Sequence, residues 1–346
     1  MAMTAPAPVS EAWPGAGIRP MAGCRVAVLC GGPGVEREVS LESGRQVYEA
    51  LAADSPDVTL RDVRTARELE IFLDESRCNV AVLMLHGELG EDGEAPRRLE
   101  KRGVAYTGSA PDACVRSFDK NAAKQRLAAA GLPVAPWGIW RAGSRAADAW
   151  RAAGAAWPVV VKPNASGSSV GVAKVGDEAA LEEALARAAA CGNGEVMIEA
   201  HVAGREFTAS VLDGKPLPLV EIHTRGRLFD YGLKYGPDGH RCVCPAEVDP
   251  PDAAAWRAMA VSAAEALGAR DLCRIDFMVG ESGPRLLEIN TAPGFTRHSL
   301  APMAARAAGI PFRDLCWMLV GMALRRQAAA SVGHPPPARG KEPFSP

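Results

Sequence analysis

The sequence predicts an α/β (α+β) fold in three successive segments, the first built on a parallel sheet. Three observations carry this prediction. From residue 24 onward, short apolar runs alternate with helix-like stretches, and glycine-rich loops follow the runs. A second block repeats strand, small-residue loop and helix between residues 107 and 204. A third block carries two segments of strictly alternating polarity around one turn, the pattern of a half-buried hairpin.

The chain has 346 residues, which suits two or three domains. Lys and Arg number 39 and Asp and Glu 41, a formal net charge of −2. That balance argues against nucleic acid or an anionic membrane as the main partner. No apolar run approaches the ~20 residues of a membrane helix. The nine cysteines follow no framework, and Cys242-Val-Cys244 has no second pair to complete a zinc set. Residues 1–22 have neither a basic nor an apolar signal region, and 331–346 are Pro-rich; both read as disordered extensions. A cytoplasmic protein with reduced thiols is expected.

In chain order, Cys24 to Cys30 reads as a strand running into Gly31-Gly32, and Leu41 to Ala53 as a helix with Ser40 as N-cap. Asn79 to Leu85 is a second strand, followed by the acidic, glycine-rich loop His86 to Gly93. Asp112 to Ala130 reads as one helix stopped by Gly131-Leu-Pro133. Pro158 to Lys162 is a strand entering the loop Gly167-Ser-Ser-Val-Gly171. Helix Asp177 to Ala190 and strand Glu195 to Glu199 follow. A polar loop spans Thr224 to Arg241, then come helices Ala253 to Leu267 and Phe312 to Gln327 with the hairpin between them.

The hairpin gives the firmest geometry. Cys273 to Val279 and Arg285 to Asn290 flank the turn 280–283. Symmetry about Ser282 sets Asp276 opposite Glu288 and Arg274 opposite Asn290. Opposed carboxylates repel unless neutralised, and Asp, Glu and Asn oxygens suit Mg²⁺; a solvated face paired with arginines is the alternative. The GSSVG loop has the glycines and hydroxyls that let a backbone approach phosphate, but it is neither a P-loop nor G-x-G-x-x-G, and by itself an ordinary turn is the more common explanation.

Taken together, the motifs resemble those of D-alanine–D-alanine ligases of the ATP-grasp superfamily. The runs are GGPGVEREVS (31–40), LHGELGEDG (85–93), YTGS (106–109), DK (119–120), VVVKPNASGSSVGV (159–172), VMIEAHVAGREFT (196–208), LKY (233–235), CRIDFM (273–278) and EINTAPGFTRHSLAPMAA (288–304). Their order spans about residues 24 to 327.

The resemblance implies a three-segment ATP-grasp architecture with a Rossmann-like substrate domain (23–107), a central subdomain (108–204) and a C-terminal subdomain with metal site and lid loop (205–330). It implies ATP as co-substrate, two Mg²⁺ ions with Mn²⁺ as a substitute, D-alanine as substrate, and a homodimer by analogy. Peptidoglycan precursor synthesis is the implied role. Lys120, Lys162 and Lys234 match phosphate contacts, and Gly167 and Ser169 the closing loop. Glu199, Ala200 and Val202 match the adenine contacts, and Glu206 the ribose contact. Asp276, Glu288 and Asn290 match the metal ligands. Glu36 matches the anchor of the first D-alanine's ammonium, linked to Ser168 and Tyr235, with His86 close to it. Arg274 and Gly294 match the oxyanion pair, and Ser299 and Leu300 the second-substrate pocket. Departures at Gly232, Ala292 and Arg297 raise a rival, a related ligase with another second substrate. A non-catalytic ATP sensor is the rival of another class.

Overall fold

The computed structural model describes residues 23–167, 170–223 and 241–333. The first sheet is parallel, ordered β2-β1-β3-β4, from β1 (Val26–Gly31), β2 (Val58–Val63), β3 (Val80–Leu83) and β4 (Ala105–Tyr106). Helices α1 (Arg37–Ala52), α2 (Ala66–Glu75) and α3 (Glu94–Arg102) connect these strands in turn. Strand order reverses between β1 and β3, so the loops after these two strands flank a crevice at the sheet's carboxyl edge. Glu36 lies on the first of these loops and His86 on the second.

Of the boundaries that differ from the sequence reading, two bear on the site. Helix α1 begins one turn before Ser40, with Glu36 at its N-cap position. Ser40 serves the sheet instead: its hydroxyl accepts from Gly31 N at 2.7 Å and donates to Met84 O at 2.6 Å. The expected single helix over 112–130 is two, α4 (Pro111–Phe118) and α5 (Lys120–Ala129), broken at an extended Asp119. Asp119 caps α5 by accepting from Ala122 N at 2.9 Å and also takes a bond from Asn164 Nδ2 at 3.0 Å. Helical spacing cannot reveal a cap that interrupts an otherwise continuous pattern.

The central sheet is antiparallel, ordered β5-β8-β6-β7: β5 (Trp137–Arg141), β6 (Val159–Pro163), β7 (Ala173–Val175) and β8 (Glu195–Ala200). Helices α6 (Ala146–Ala153) and α7 (Leu181–Ala190) cover one face, where Val159, Val161, Val196 and Ile198 are buried. Val160, Lys162 and Glu199 line the opposite side. Period-2 alternation on these strands thus sends apolar residues to one side and two charged ones to the other.

The third sheet follows the path β12-β11-β9-β13-β14, with β10 pairing β9. Its strands are β9 (Arg205–Leu212), β10 (Lys215–Pro216), β11 (Val220–His223), β12 (Arg241–Val243), β13 (Leu272–Gly280) and β14 (Gly283–Asn290). One face carries Phe207, Ala209, Ile275, Phe277 and Ile289 against α8 (Pro250–Leu267). The last helices are α9 (Leu300–Ala307) and α10 (Phe312–Gly333), and α10 outruns its expected end at Gln327. It packs on the first sheet: Trp317 and Leu319 share a core with Val26, Val28 and Val82. Trp317 Nε1 donates to Asp54 at 2.8 Å. The first sheet and the last described helix therefore share one core. Among the described residues no single helix is long and apolar enough to cross a membrane. All nine cysteines are free.

Candidate active site

A cleft of about 930 Å³, open mouth included, lies between the central and third sheets. Its charged lining is Lys120, Lys162, Glu199, Glu206, Asp276 and Glu288; its apolar lining includes Val160, Ala200, Val202, Met278 and Leu287. An amphipathic slot of this kind suits a ligand with a flat apolar part and an anionic part.

The hairpin sets the acidic wall. Asp276 stands opposite Glu288 and Arg274 opposite Asn290, as the sequence reading expected, but by a different route. The turn is tighter than assumed: Gly280 pairs with Gly283, and the register runs regularly to Phe277 opposite Leu286. Carried on, that register would pair Asp276 with Leu287 and turn Glu288 toward the apolar face. A bulge at Leu287 adds one residue to β14 and restores Glu288 to the cleft side.

On this wall Arg274 grips Asp276 with two bonds, Nε to Oδ1 at 2.8 Å and Nη2 to Oδ2 at 2.7 Å. Asn290 Nδ2 donates to the same Oδ2 at 3.0 Å. Glu288 lies 3.5 Å from the ammonium of Lys120. Among the described residues no three His, Cys, Asp or Glu gather as a metal cluster. The candidate set is instead two carboxylates and one amide oxygen. These are hard donors that suit Mg²⁺ rather than zinc, and the cations now balancing them are the kind a divalent ion displaces.

The basic wall is built from the Asp119 break. It puts Lys120 at the first position of α5, with its N–H on Asn164 O at 3.0 Å and its ammonium on Ser166 O at 2.7 Å. Lys162, near the end of β6, donates to Glu199 Oε2 at 2.6 Å. Glu199 also forms an ion pair through Oε1 with Lys124, a residue the sequence reading missed. Lys124 lies four residues after Lys120, hence on the same helical face one turn deeper, the one signal that could have found it. Burial pushes the Glu199 carboxyl up, but the two ammonium groups outweigh it and hold it below the usual range. Burial pushes Lys124 down, opposed by Glu199.

Glu36 reaches the cleft from the first segment. A Cβ on Gly87 would stand 2.9 Å from its Oε2, and a Cβ on Gly167 would overlap the carboxylate outright. His86 Nδ1 donates to Ala292 O at 2.9 Å, which leaves Nε2 as the ring's second, buried nitrogen without a bond. Burial holds the His86 pKa below its ordinary value, against the pull of Glu36. Glu91, also unforeseen, is buried on the same loop and accepts from Gly87 N at 2.8 Å. Burial, with Glu36 adding to it, pushes its carboxyl up to about 8.

Ser299 is the N-cap residue of α9, and its hydroxyl meets Thr296 N at 3.0 Å and Thr296 Oγ1 at 2.9 Å. It borders Gly294, whose Cβ position would lie 3.4 Å from Ser299 Oγ. Leu300 is buried beside it. Arg297 stacks on the Phe312 ring at 4.9 Å. Ser168, Ser169, Gly232, Lys234 and Tyr235 lie outside the described residues.

Two facing sheets, with Lys162 on one, Lys120 at the start of α5 beside it and a carboxylate–amide set on the other, fit an ATP-grasp fold, and the comparisons agree. A family model described as the D-Ala D-Ala ligase C-terminus matches residues 127–321. A D-alanine–D-alanine ligase of Syntrophotalea carbinolica is 37% identical over 307 residues, 87% of this chain and 97% of the relative. One from Desulforudis audaxviator is 42% identical over 307 residues, covering 87% and 99%. The structure of D-alanine–D-alanine ligase from Bacillus anthracis superposes with a TM-score of 0.77 at 29% identity, covering 89% of this chain and 99% of that one. A D-Ala:D-Ser ligase from Enterococcus faecalis reaches 0.75 at 25% identity, covering 87% and 99%. The chain belongs to the D-alanine–D-alanine ligase family.

Proposed function

We propose that the chain joins two D-alanines at the expense of ATP, giving D-Ala-D-Ala, ADP and phosphate for peptidoglycan precursors. The observation that carries this reading is the bulged hairpin, which brings Asp276 and Glu288 into the cleft that Lys120 and Lys162 line, with Arg274 and Asn290 bonded to Asp276. Family membership supports it, and one solved relative is the Bacillus anthracis enzyme complexed with ATP.

In this reading the first D-alanine's carboxylate attacks the γ-phosphate. That carboxylate is already ionised, so the step needs no base; its barrier is the crowding of negative charge. Lys120 and Lys162 offset that charge, with Lys234 completing the set. Asp276, Glu288 and the side-chain oxygen of Asn290 would hold Mg²⁺, which supplies further charge neutralisation at the phosphates. Glu199, Ala200 and Val202 receive the adenine and Glu206 the ribose, with Met278 and Leu287 against the rings. Glu36, with Ser168 and Tyr235, anchors the first ammonium, and His86 lies beside it. The second D-alanine's amine attacks the acyl phosphate while Arg274 and the Gly294 N–H face the oxyanion. Ser299 at the start of α9 takes the second carboxylate, and Leu300 bounds that pocket. A cytoplasmic homodimer completes the reading on family analogy.

Incubation with ATP, Mg²⁺ and D-alanine should yield the dipeptide mass and stoichiometric ADP, and chelation should abolish both. ADP formation with a different amino acid, and none with D-alanine, would overturn the reading.

A further inference from the structure

Lys124 touches neither solvent nor the open cleft, yet its amine is ion-paired with a buried carboxylate. Its side chain is 1% exposed and that of Glu199 is 2%. Three groups surround its ammonium: the Glu199 carboxylate, the Leu286 carbonyl at 3.3 Å, and the Trp137 ring at 5.7 Å. Through Glu199 it is one carboxylate away from Lys162, which faces the nucleotide cleft.

The charge balance gives this arrangement a purpose. Two ammonium groups share one carboxylate, so the buried cluster carries an excess of one positive charge at the cleft wall. Without Lys124, Glu199 would claim Lys162 entirely and the excess would vanish. Stability does not call for such a cluster, because burying ions is expensive and apolar replacements of buried pairs are often neutral or stabilising. An anionic ligand at the cleft completes the balance. The contact with Leu286 points the same way. Leu286 lies on the outer edge of β14, its N–H donating to Pro133 O at 2.8 Å and its carbonyl accepting from Lys124. The next residue is the bulged Leu287, so Lys124 also steadies the strand where it turns Glu288 into the cleft.

We propose that Lys124 is a positioning residue for the nucleotide: by sharing Glu199 with Lys162 it leaves the Lys162 ammonium free for the ATP phosphates. The inference rests on the reading of the cleft as an ATP site. It names a residue that touches neither ATP nor D-alanine and acts mainly through Glu199.

The test uses Lys124→Met, similar in length and uncharged, with the magnesium-loaded full chain and ATP as the probe. The ATP dissociation constant, followed by titration, should rise at least tenfold, equivalent to about 1.4 kcal/mol. The KM for D-alanine should stay within about twofold, because uniform loss of ATP binding leaves the other subsites intact. In a Glu199→Gln background, Lys124→Met should weaken ATP less than about threefold, as coupled residues are non-additive. That pair of variants keeps the test decisive even if Lys124→Met alone fails to fold, since it leaves no unpaired carboxylate buried. Unchanged ATP affinity in folded Lys124→Met, or an equal loss in both backgrounds, overturns the proposal. Failure of the ligase reading is separate: the wild-type chain would bind ATP and form no dipeptide.

Discussion

The carboxylate of Glu36 occupies the space in which a side chain on Gly167 would begin, so the first segment reaches directly into the glycine loop of the central one. The two residues are 131 positions apart, and their contact joins the proposed ammonium anchor to the loop that follows Lys162. Gly167 is required for this closeness rather than for an unusual backbone angle.

Gly167→Ala should therefore damage the site without unfolding the chain. Its Cβ would also come within 2.9 Å of Glu36 Cδ, so either the loop or the carboxylate must move. We expect kcat/KM for D-alanine to fall about tenfold as the carboxylate is displaced, and Tm to fall by a few degrees, since overpacking costs about 1–3 kcal/mol. Unchanged kcat/KM would mean that Glu36 is not held against the loop during turnover.

Asp119 ends one helix and caps the next. Asp119→Ala removes the bonds to Ala122 N and Asn164 Nδ2 and should lower stability by about 1–2 kcal/mol in urea denaturation. The same change frees Lys120 from its place at the start of α5, so the KM for ATP should rise as well. Asp119→Asn keeps an acceptor and should recover most of both effects. A stability loss with no change in KM would separate the cap from the site.

Glu91 gives the metal-free protein a pH dependence. Burial, reinforced by Glu36, raises its folded pKa to about 8, while Gly87 N and Ala292 N oppose the rise. Unfolded, the carboxyl releases its proton near pH 4.3. Between these values the folded state binds more protons, so this group's contribution to stability is full below about pH 4 and is lost as pH rises toward 8. The slope in mid-window is about 1.4 kcal/mol per pH unit. Glu91→Gln should remove it, so Tm of the variant relative to wild type should climb between pH 5 and 8. A pH-independent difference would show that Glu91 is ionised when folded.

Arg297 is one of the three departures, with Gly232 and Ala292, that raise another second substrate. Its guanidinium lies over Phe312, and its backbone N–H donates to Gln46 at 2.7 Å. Arg297→Ser should leave the preference for D-alanine over acidic D-amino acids within about twofold, as expected when no pocket contact is removed. A changed preference, read from product masses in mixed-substrate assays, would place the guanidinium in the pocket.

Part of the fold and most of the proposed cleft are legible in the sequence. Apolar runs located β1, β3, β6 and β8 and alternation located β13 and β14, while the other strands carried no such signal; motif order named Lys120, Lys162, Glu199, Asp276 and Glu288, which line one cleft. The hairpin pairing was also right, although it rested on a symmetric turn that the chain does not have: a tighter turn and a bulge at Leu287 cancel to the same register. Helix starts were less legible, because Ser40 and Asp119 can each cap a helix or serve another element, and sequence spacing is the same either way.

What the sequence determined by itself is its inventory and periodicity: which residues can neutralise phosphate, which can hold a hard cation, and which faces are apolar. These follow from chemistry and from spacings of two or about 3.6 residues, which are local. Tertiary structure alone decided that Lys124 shares Glu199 with Lys162, that Glu36 meets Gly167, and that the last helix closes on the first sheet. Those relationships depend on how separate elements pack and on where a buried charge finds its partner, and no short-range pattern encodes either.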